Sequence, residues 1–154
     1  MLKTKFLTLD MLNIDIYFHK ALSSSTKISE IFEGRIYNTG RSTFEEDEDR
    51  IPYIIVTYNG GETQDINSKE FVVEDLDTAR VSVLCVAEER EELASYMEEV
   101  ENAIAQSMNS KSFDDDAFNF GIDSATHSAS PVEYDPEKPC YYQMLTYICK
   151  TFRK

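Results

Sequence analysis

The chain has 154 residues, of which 42% are hydrophobic and 29% are charged, so it is long enough to bury the core of one globular domain and too hydrophobic to be disordered. Its 15 basic and 29 acidic residues give a formal net charge of −14, which argues against a surface that grips nucleic acid or an anionic membrane through clustered cations. Such a charge is typical of solvated acidic faces, and it also suits a surface that must not adhere to DNA passing nearby.

The N-terminal part of the chain predicts a helix, a turn and a strand. Residues 10–22 carry an apolar stripe at helical spacing, formed by Met11, Ile14, Phe18 and Leu22. The Ser/Thr cluster at 23–26 ends this helix and precedes a short helical turn through residues 31–32. A strand is then predicted to begin at 34–37.

The middle of the chain predicts a loop and two strands. Residues 38–50 are polar and rich in like charges that repel each other, which predicts a mobile loop. The segment 51–58 is apolar on both faces and predicts a central strand. Residues 59–62 contain two glycines and predict a turn, and another strand begins at 71–73.

The stretch from Arg80 to Gln106 has the strongest pattern in the chain, because a β-branched strand passes without a linker into an acidic amphipathic helix. The strand at 81–87 is apolar on both faces, which predicts that it is largely buried. The helix is predicted over 88–107, with acidic residues in its first turns, where the helix dipole favours anions. Its inner stripe is predicted to consist of Leu93, Tyr96, Met97, Val100, Ala103, Ile104 and Ser107.

The C-terminal third predicts a long loop followed by a hairpin. Residues 109–130 are rich in Ser, Asp and Asn and predict a mobile loop with a short strand near 118–122. A short strand at 132–134, a proline-containing turn at 135–139 and a long alternating strand at 140–152 follow.

These elements predict one α+β domain over residues 1–154, with mobile loops near 38–50 and 109–130. The sheet is expected to be mostly antiparallel and to pack against the N-terminal helix and the one long acidic helix. No internal repeat is present in the sequence, so a repeat architecture is not predicted.

No residue pattern predicts a catalytic, cofactor or metal site. The three carboxylates of Asp114 to Asp116 are the best metal candidate, but they cannot converge on one cation without further ligands, so a solvated loop is favoured. His19 lies beside the apolar stripe of the first helix, and His127 has hydroxyl neighbours without the spaced partners of a triad. The sequence therefore predicts a protein that is not an enzyme and that uses no cofactor or metal.

The three cysteines predict a reducing, cytoplasmic compartment. Their number is odd, the chain is too long to need disulfide bonds, and Cys140 and Cys149 lack the spacing of zinc ligands. Cys85 lies in an apolar strand and is predicted to be a small core residue. Polar residues from Asp10 onward interrupt the apolar run at 2–7, and no segment has the length of a membrane span, so neither export nor a membrane partner is predicted.

Aromatic and charged residues give candidates for a protein–protein interface. Tyrosine suits interfaces because it is amphipathic and loses little conformational entropy, although the same side chains also pack within sheets. The candidate interface residues are Tyr141, Tyr142, Tyr147, Arg80, Glu91 and Glu98.

The order of elements carries a resemblance to a known family. The segments that carry it are Pro52-Tyr53-Ile54-Ile55-Val56, the strand from Arg80 to Ala87, the helix ending at Glu101-Asn102-Ala103-Ile104, and the late strand from Tyr142 to Tyr147. This pattern resembles the tail-completion and tail-terminator proteins of long-tailed bacteriophages, including the lambda-type terminators and their prophage relatives. The similarity covers most of the chain, and the segment 109–130 is longer than the family pattern.

The resemblance implies a subunit that closes into a hexameric ring on the end of the phage tail tube, stops tube growth and offers a docking face to the head. Its partners would be further copies of itself, the tail tube protein and the head–tail connector protein, while DNA passes through the ring without specific binding. Such a protein is assembled in the bacterial host cytoplasm and becomes part of the virion.

A ring uses a heterologous interface, so one subunit must carry two different contact surfaces. The strand at 140–152, as an edge strand, and the outer rim of the acidic helix are the candidate halves. An alternative function is a cytoplasmic adaptor domain that binds a basic protein partner through its acidic helix. A metal-dependent enzyme that uses Asp114 to Asp116 is a third alternative.

Overall fold

The computed structural model describes residues 14–38, 50–62, 77–110, 118 and 120–153, which form an α+β fold as the sequence predicts. In this part of the chain three helices pack with a six-stranded, mostly antiparallel sheet. The helices are α1 (Ile14–Ser23), α2 (Thr26–Phe32) and α3 (Arg90–Asn109). The strands are β1 (Ile36–Asn38), β2 (Tyr53–Glu62), β3 (Asp77–Ala87), β4 (Phe120–Ala129), β5 (Glu133–Asp135) and β6 (Cys140–Arg153).

Helix α2 begins and ends at residues that cap it. Ser25 lies between α1 and α2 as the N-cap of α2, and its hydroxyl accepts a hydrogen bond from the Ile28 N–H at 3.4 Å. Helix α2 ends at Glu33, whose backbone has a left-handed conformation with a φ of 50°. The buried residues of α1 and α2 include Phe18, Leu22 and Phe32, so the predicted apolar stripe faces the core.

The sheet has the strand order β1-β2-β3-β6-β4, and β5 pairs with β6 beside β4. Strands β1 and β2 are parallel, and the other pairs are antiparallel. Strand β6 is therefore flanked by β3 on one side and by β4 and β5 on the other. This position corrects the prediction that the strand at 140–152 is a sheet edge, because its backbone groups already pair along both sides.

The two glycines at 60 and 61 do not form the predicted turn after β2. They lie inside β2, where the register with β3 shifts between Tyr58 and Gly61. Gly60 has a φ of 102°, a backbone conformation that is strained for any residue with a Cβ atom. The signal that predicted a turn thus marks a β-bulge, which uses the same conformational freedom of glycine.

Helix α3 confirms the predicted inner stripe. Leu93, Val100 and Ile104 are fully buried and Met97 and Ala103 nearly so, whereas Tyr96 and Ser107 lie at the margin of the core. This stripe packs on β3 and β6, which confirms that the acidic helix covers one face of the sheet.

Strand β4 replaces much of the predicted loop at 109–130. Its apolar start, Phe120 and Ile122, is buried, and the rest of the strand is polar and mostly exposed. A strand exposed in this way has no hydrophobic alternation, so its sequence resembles that of a loop, and pairing with β6 defines it instead.

Several predicted features lie outside the described residues. They are the start of the first helix before Ile14, the loop segment 39–49, the strand at 71–73 and the candidate metal residues Asp114 to Asp116. Within the residues that the structure describes, no helix is both long enough and apolar enough to cross a membrane.

Candidate interaction surface on the open face of the sheet

The two faces of the sheet differ in what covers them. The inner face carries Val81, Val83, Cys85, Leu145 and Cys149, which are fully buried under α1 and α3. The alternate residues of the same strands point to the opposite face, because side chains alternate along a strand. No helix of the described residues packs on that second face, which we call the open face.

The open face carries exposed apolar side chains along β6, whereas Ser82 and Val86 of β3, on the same face, are buried. Met144, Ile148 and Phe152 alternate along β6 on this face, with exposures of 37%, 39% and 37%. Ile55 of β2 and Leu84 of β3 are cross-strand partners on the same face and are half-buried. Large apolar side chains that are exposed and contiguous mark interaction sites more often than isolated ones do.

The open face also carries two positive charges in a protein with a net charge of −14. Arg80 lies opposite Ile148, and Lys150 lies opposite Thr78 on the neighbouring strand. The Lys150 ammonium donates a hydrogen bond to the Thr78 hydroxyl at 2.7 Å, which holds the charge against the sheet. The open face thus combines apolar groups with these two cations and with one carboxylate, that of Glu133, which lies opposite Tyr142.

The structure separates the three tyrosines that were predicted at the interface. Tyr147 is 3% exposed and packs its ring against Phe18, so the structure corrects its assignment to the surface. Tyr141 lies on the inner side, where its ring contacts that of Tyr134 with centroids 4.9 Å apart. Tyr142 lies on the open face beside Glu133, and the hydrogen bond to that carboxylate raises the pKa of its phenol. Of the three, Tyr142 remains a candidate for contact through the open face.

The exposed side of α3 carries the remaining candidates. Glu91 and Glu98 are seven residues apart, which places them on one side of the helix, and both are exposed. We use the name acidic surface for the exposed carboxylates of Glu91 and Glu98 on the outer side of α3. The acidic surface lies on the far side of α3 from the sheet, so it and the open face are on opposite sides of the molecule.

Both histidines make structural contacts. His19 Nε2 donates to the carbonyl oxygen of Ile36 at 2.9 Å, and its Nδ1 accepts from the Ser23 hydroxyl at 3.2 Å, so the ring joins α1 to β1. His127 lies 2.8 Å from a carboxylate oxygen of Glu101 and stacks on the ring of Tyr147, so it joins β4 to α3. In each case the ring links two elements that are distant in sequence, a role that the sequence alone did not reveal.

All three cysteines are free and buried. Burial raises the pKa of the Cys85 thiol to about 12 and that of the Cys149 thiol to about 12. Such thiols are protonated and unreactive at neutral pH, which suits core residues. Among the described residues, no group of three or more His, Cys, Asp or Glu side chains is arranged to hold a metal ion.

A groove of about 590 Å³ lies between α1 and α3, and the sequence analysis did not predict it. Its two lysines already have partners: Lys27 lies 3.7 Å from the Glu99 carboxylate, and the Lys20 ammonium lies 5.5 Å from the centre of the Phe118 ring. Besides these lysines and Glu99, the groove is lined by hydroxyls, amides and apolar groups. The open face is therefore the stronger candidate site.

The lack of a clear signal in the sequence explains why the open face was only partly predicted. Both sets of alternating residues in β6 are largely apolar, so the sequence does not show which set faces the core.

Comparison with protein-family models and with curated protein sequences finds no match to this chain.

Proposed function

We propose that this chain is a non-enzymatic assembly subunit of a bacteriophage tail, which forms a ring on the end of the tail tube and offers a docking surface to the head. Its partners in this proposal are other copies of itself, the tail tube protein and the head–tail connector protein. The mature assembly would be part of the virion. The observation that carries the proposal is the open face, a sheet surface with exposed apolar side chains and no helix of the described residues over it.

The size of the open face suits a specific protein contact. Four long strands at a spacing of about 4.8 Å and a length of about 33 Å present about 600 Å². Burial of this area on each of two partners falls near the lower limit of specific interfaces, about 1,200 Å² in total. The exposed side chains of Met144, Ile148 and Phe152 on this face lower the solubility of a free monomer, so a stable contact partner is the simplest reason for their exposure.

The net charge supports the further proposal that DNA passes through the ring without binding. A wall formed by subunits with a net charge of −14 repels the phosphate backbone, so the duplex slides past it. An assembled ring whose central hole is lined with Lys and Arg would contradict this part of the proposal.

The first experiment measures self-association by light scattering over a range of protein concentrations. We expect an oligomer near six subunits for the wild-type chain and a monomer for Ile148→Asp. Ile16→Asp is the matched control, because Ile16 is also an exposed isoleucine, at 47%, but lies on α1. A wild-type chain that stays monomeric at all concentrations would contradict the ring.

The second experiment tests the tail tube. Tubes of the tail protein from the same phage genome are mixed with the purified chain and sedimented, and the ends are viewed by electron microscopy. Caps at tube ends and arrest of tube growth are expected. Binding along the tube walls, or no binding, would contradict the role at the tube end.

A second candidate function is an adaptor domain for a basic protein partner, which the acidic surface of α3 favours. Exposed carboxylates on one helix attract a cationic partner and speed its association. An adaptor would remain monomeric or dimeric in the light-scattering experiment and would show no ring. It would lose partner binding when Glu91 and Glu98 are replaced by Gln.

A further inference from the structure

We propose that the open face of one subunit binds the acidic surface of α3 on the next subunit. This inference rests on the proposed ring function and specifies the contact that holds the ring together. The partner on the open face is therefore a second copy of this chain, oriented head to tail.

Charge is the first argument for this pairing. Arg80 and Lys150 bring positive charge to the open face, although the protein has almost twice as many acidic as basic residues. The acidic surface offers exposed carboxylates at Glu91 and Glu98. Contact between two open faces would instead oppose cations to cations, and contact between two acidic surfaces would oppose anions to anions.

The second argument is that the other carboxylates of α3 already have partners within the subunit. Glu99 pairs with Lys27 at 3.7 Å, Glu101 pairs with His127 at 2.8 Å, and Glu92 accepts a hydrogen bond from Tyr96 at 3.1 Å. These three therefore stabilise the fold of the subunit. Among the residues that the structure describes, Glu91 and Glu98 have no such partner, so their carboxylates are available for a contact between subunits.

The third argument is geometric. The open face and the acidic surface lie on opposite sides of a two-layer molecule, since α3 packs on the inner face through Leu93, Val100 and Ile104. A contact between opposite sides is heterologous, and repetition of a heterologous contact gives a closed ring when the rotation per subunit divides the circle evenly. A contact of one face with itself would stop at a dimer.

The test uses two charge-reversal variants of the full chain. The first carries Arg80→Glu and Lys150→Glu on the open face, and the second carries Glu91→Lys and Glu98→Lys on the acidic surface. Each variant alone should lose assembly, with a dissociation constant for subunit contact raised by about 100-fold, because reversal opposes like charges. A 1:1 mixture should regain assembly, since each variant then meets a complementary surface on the other.

Control measurements separate folding from assembly. Circular dichroism and thermal unfolding of each variant check the fold, and restored assembly of the mixture shows that both variants are folded. Lys138→Glu and the pair Glu30→Lys with Glu137→Lys are matched charge reversals at exposed sites away from both surfaces. These control variants should assemble like the wild type.

The outcomes distinguish this inference from the proposed function. A wild type that never assembles overturns the ring itself. A wild type that assembles, together with reversal variants that also assemble or a mixture that does not, overturns the head-to-tail contact and leaves the ring.

Discussion

At the scale of single residues, position relative to the sheet decides what each side chain does. Met97 and Ile104 point from α3 into the core, whereas Glu98, one residue after Met97, is exposed. The two histidines, which in other contexts act as bases, hold elements together through hydrogen bonds to Ile36 and Glu101. The fold thus decides which side chains join the core, which link two elements and which face solvent.

We expect truncation of the α3 stripe to destabilise the protein strongly. Met97→Ala or Ile104→Ala should lower the free energy of unfolding by about 2–5 kcal/mol, because each removes buried apolar contacts and leaves a cavity. Glu98→Ala should lower it by less than about 0.5 kcal/mol, since the carboxylate lies in solvent. Urea unfolding followed by circular dichroism measures both. Equal effects of the two kinds of substitution would mean that the orientation of α3 is wrong.

The buried thiols predict a loss of stability in alkali. Burial raises the pKa of Cys85 and Cys149 from 9.0 to about 12, so above pH 9 the unfolded chain loses protons that the folded chain keeps. The free energy of unfolding should then fall as pH rises from about 9 towards 12, by up to about 1.4 kcal/mol per pH unit for each thiol. Below pH 9 these two groups contribute no pH dependence.

Comparison of two chains measures this effect. Urea unfolding between about pH 8 and 10.5 should give a steeper decline for the wild type than for the variant Cys85→Ala with Cys149→Ala. The substitutions lower stability at every pH through lost packing, but that loss does not change the slope. Parallel declines of the two chains would contradict the assignment.

At the scale of elements, pairing along β6 organises the molecule. β6 pairs with β3 along one side and with β4 and then β5 along the other. Between β4 and β5, three residues, 130–132, face two residues of β6, 143–144, so one extra residue interrupts the ladder. Ser130 fills the gap: its N–H donates to the Met144 carbonyl at 2.8 Å, and its hydroxyl accepts from the Met144 N–H at 3.0 Å. A side chain thus supplies a ladder hydrogen bond where the backbone does not.

Loss of the Ser130 hydroxyl should therefore weaken this part of the sheet. Ser130→Ala should lower the free energy of unfolding by about 0.5–1.5 kcal/mol, because the Met144 N–H loses its partner and water replaces it only in part. Amide hydrogen exchange should also speed up at Met144. Ser128→Ala, which changes an exposed serine of β4 two residues earlier, is the control and should change stability by less than about 0.5 kcal/mol. Equal effects at the two serines would show that the hydroxyl of Ser130 has no special role.

At the scale of the whole molecule, the two sides have opposite character. One side is a sheet face with exposed apolar groups and the cations Arg80 and Lys150, and the other is a helical layer with the acidic surface. Such polarity gives a direction to any stack of identical subunits. It also leaves a large negative net charge over most of the remaining surface.

This charge predicts that the protein does not bind duplex DNA. A labelled duplex should show no change in fluorescence anisotropy on titration with the protein, even at low salt, because no cationic footprint is present to release counterions. A variant chain in which acidic residues of α3 become lysine provides a comparison with reduced repulsion. Wild-type binding that tightens as salt is lowered would contradict the proposal that DNA passes the ring without specific contact.

Local patterns were sufficient for most of the elements. The stripe of α3, the β-branched run of β3 and the caps of α2 act within a few residues, and the structure confirms the helices and strands that they predict. Two predictions for segments whose structure depends on distant partners were wrong. Gly60 lies in a bulge that the pairing with β3 defines, and β4 is a strand because β6 lies beside it.

The sequence by itself determined the fold class, the orientation of the helices towards the core and the electrostatic character of the protein, because these depend on periodicity and composition. Only the tertiary structure decided which face of the sheet is open, that β6 lies inside the sheet and that Tyr147 is buried. The physical reason is that both alternating sets of residues in β6 are largely apolar, so their own sequence gives neither set a preference for the core. Packing of α1 and α3 on one side makes that choice, and the side left open is the candidate contact surface.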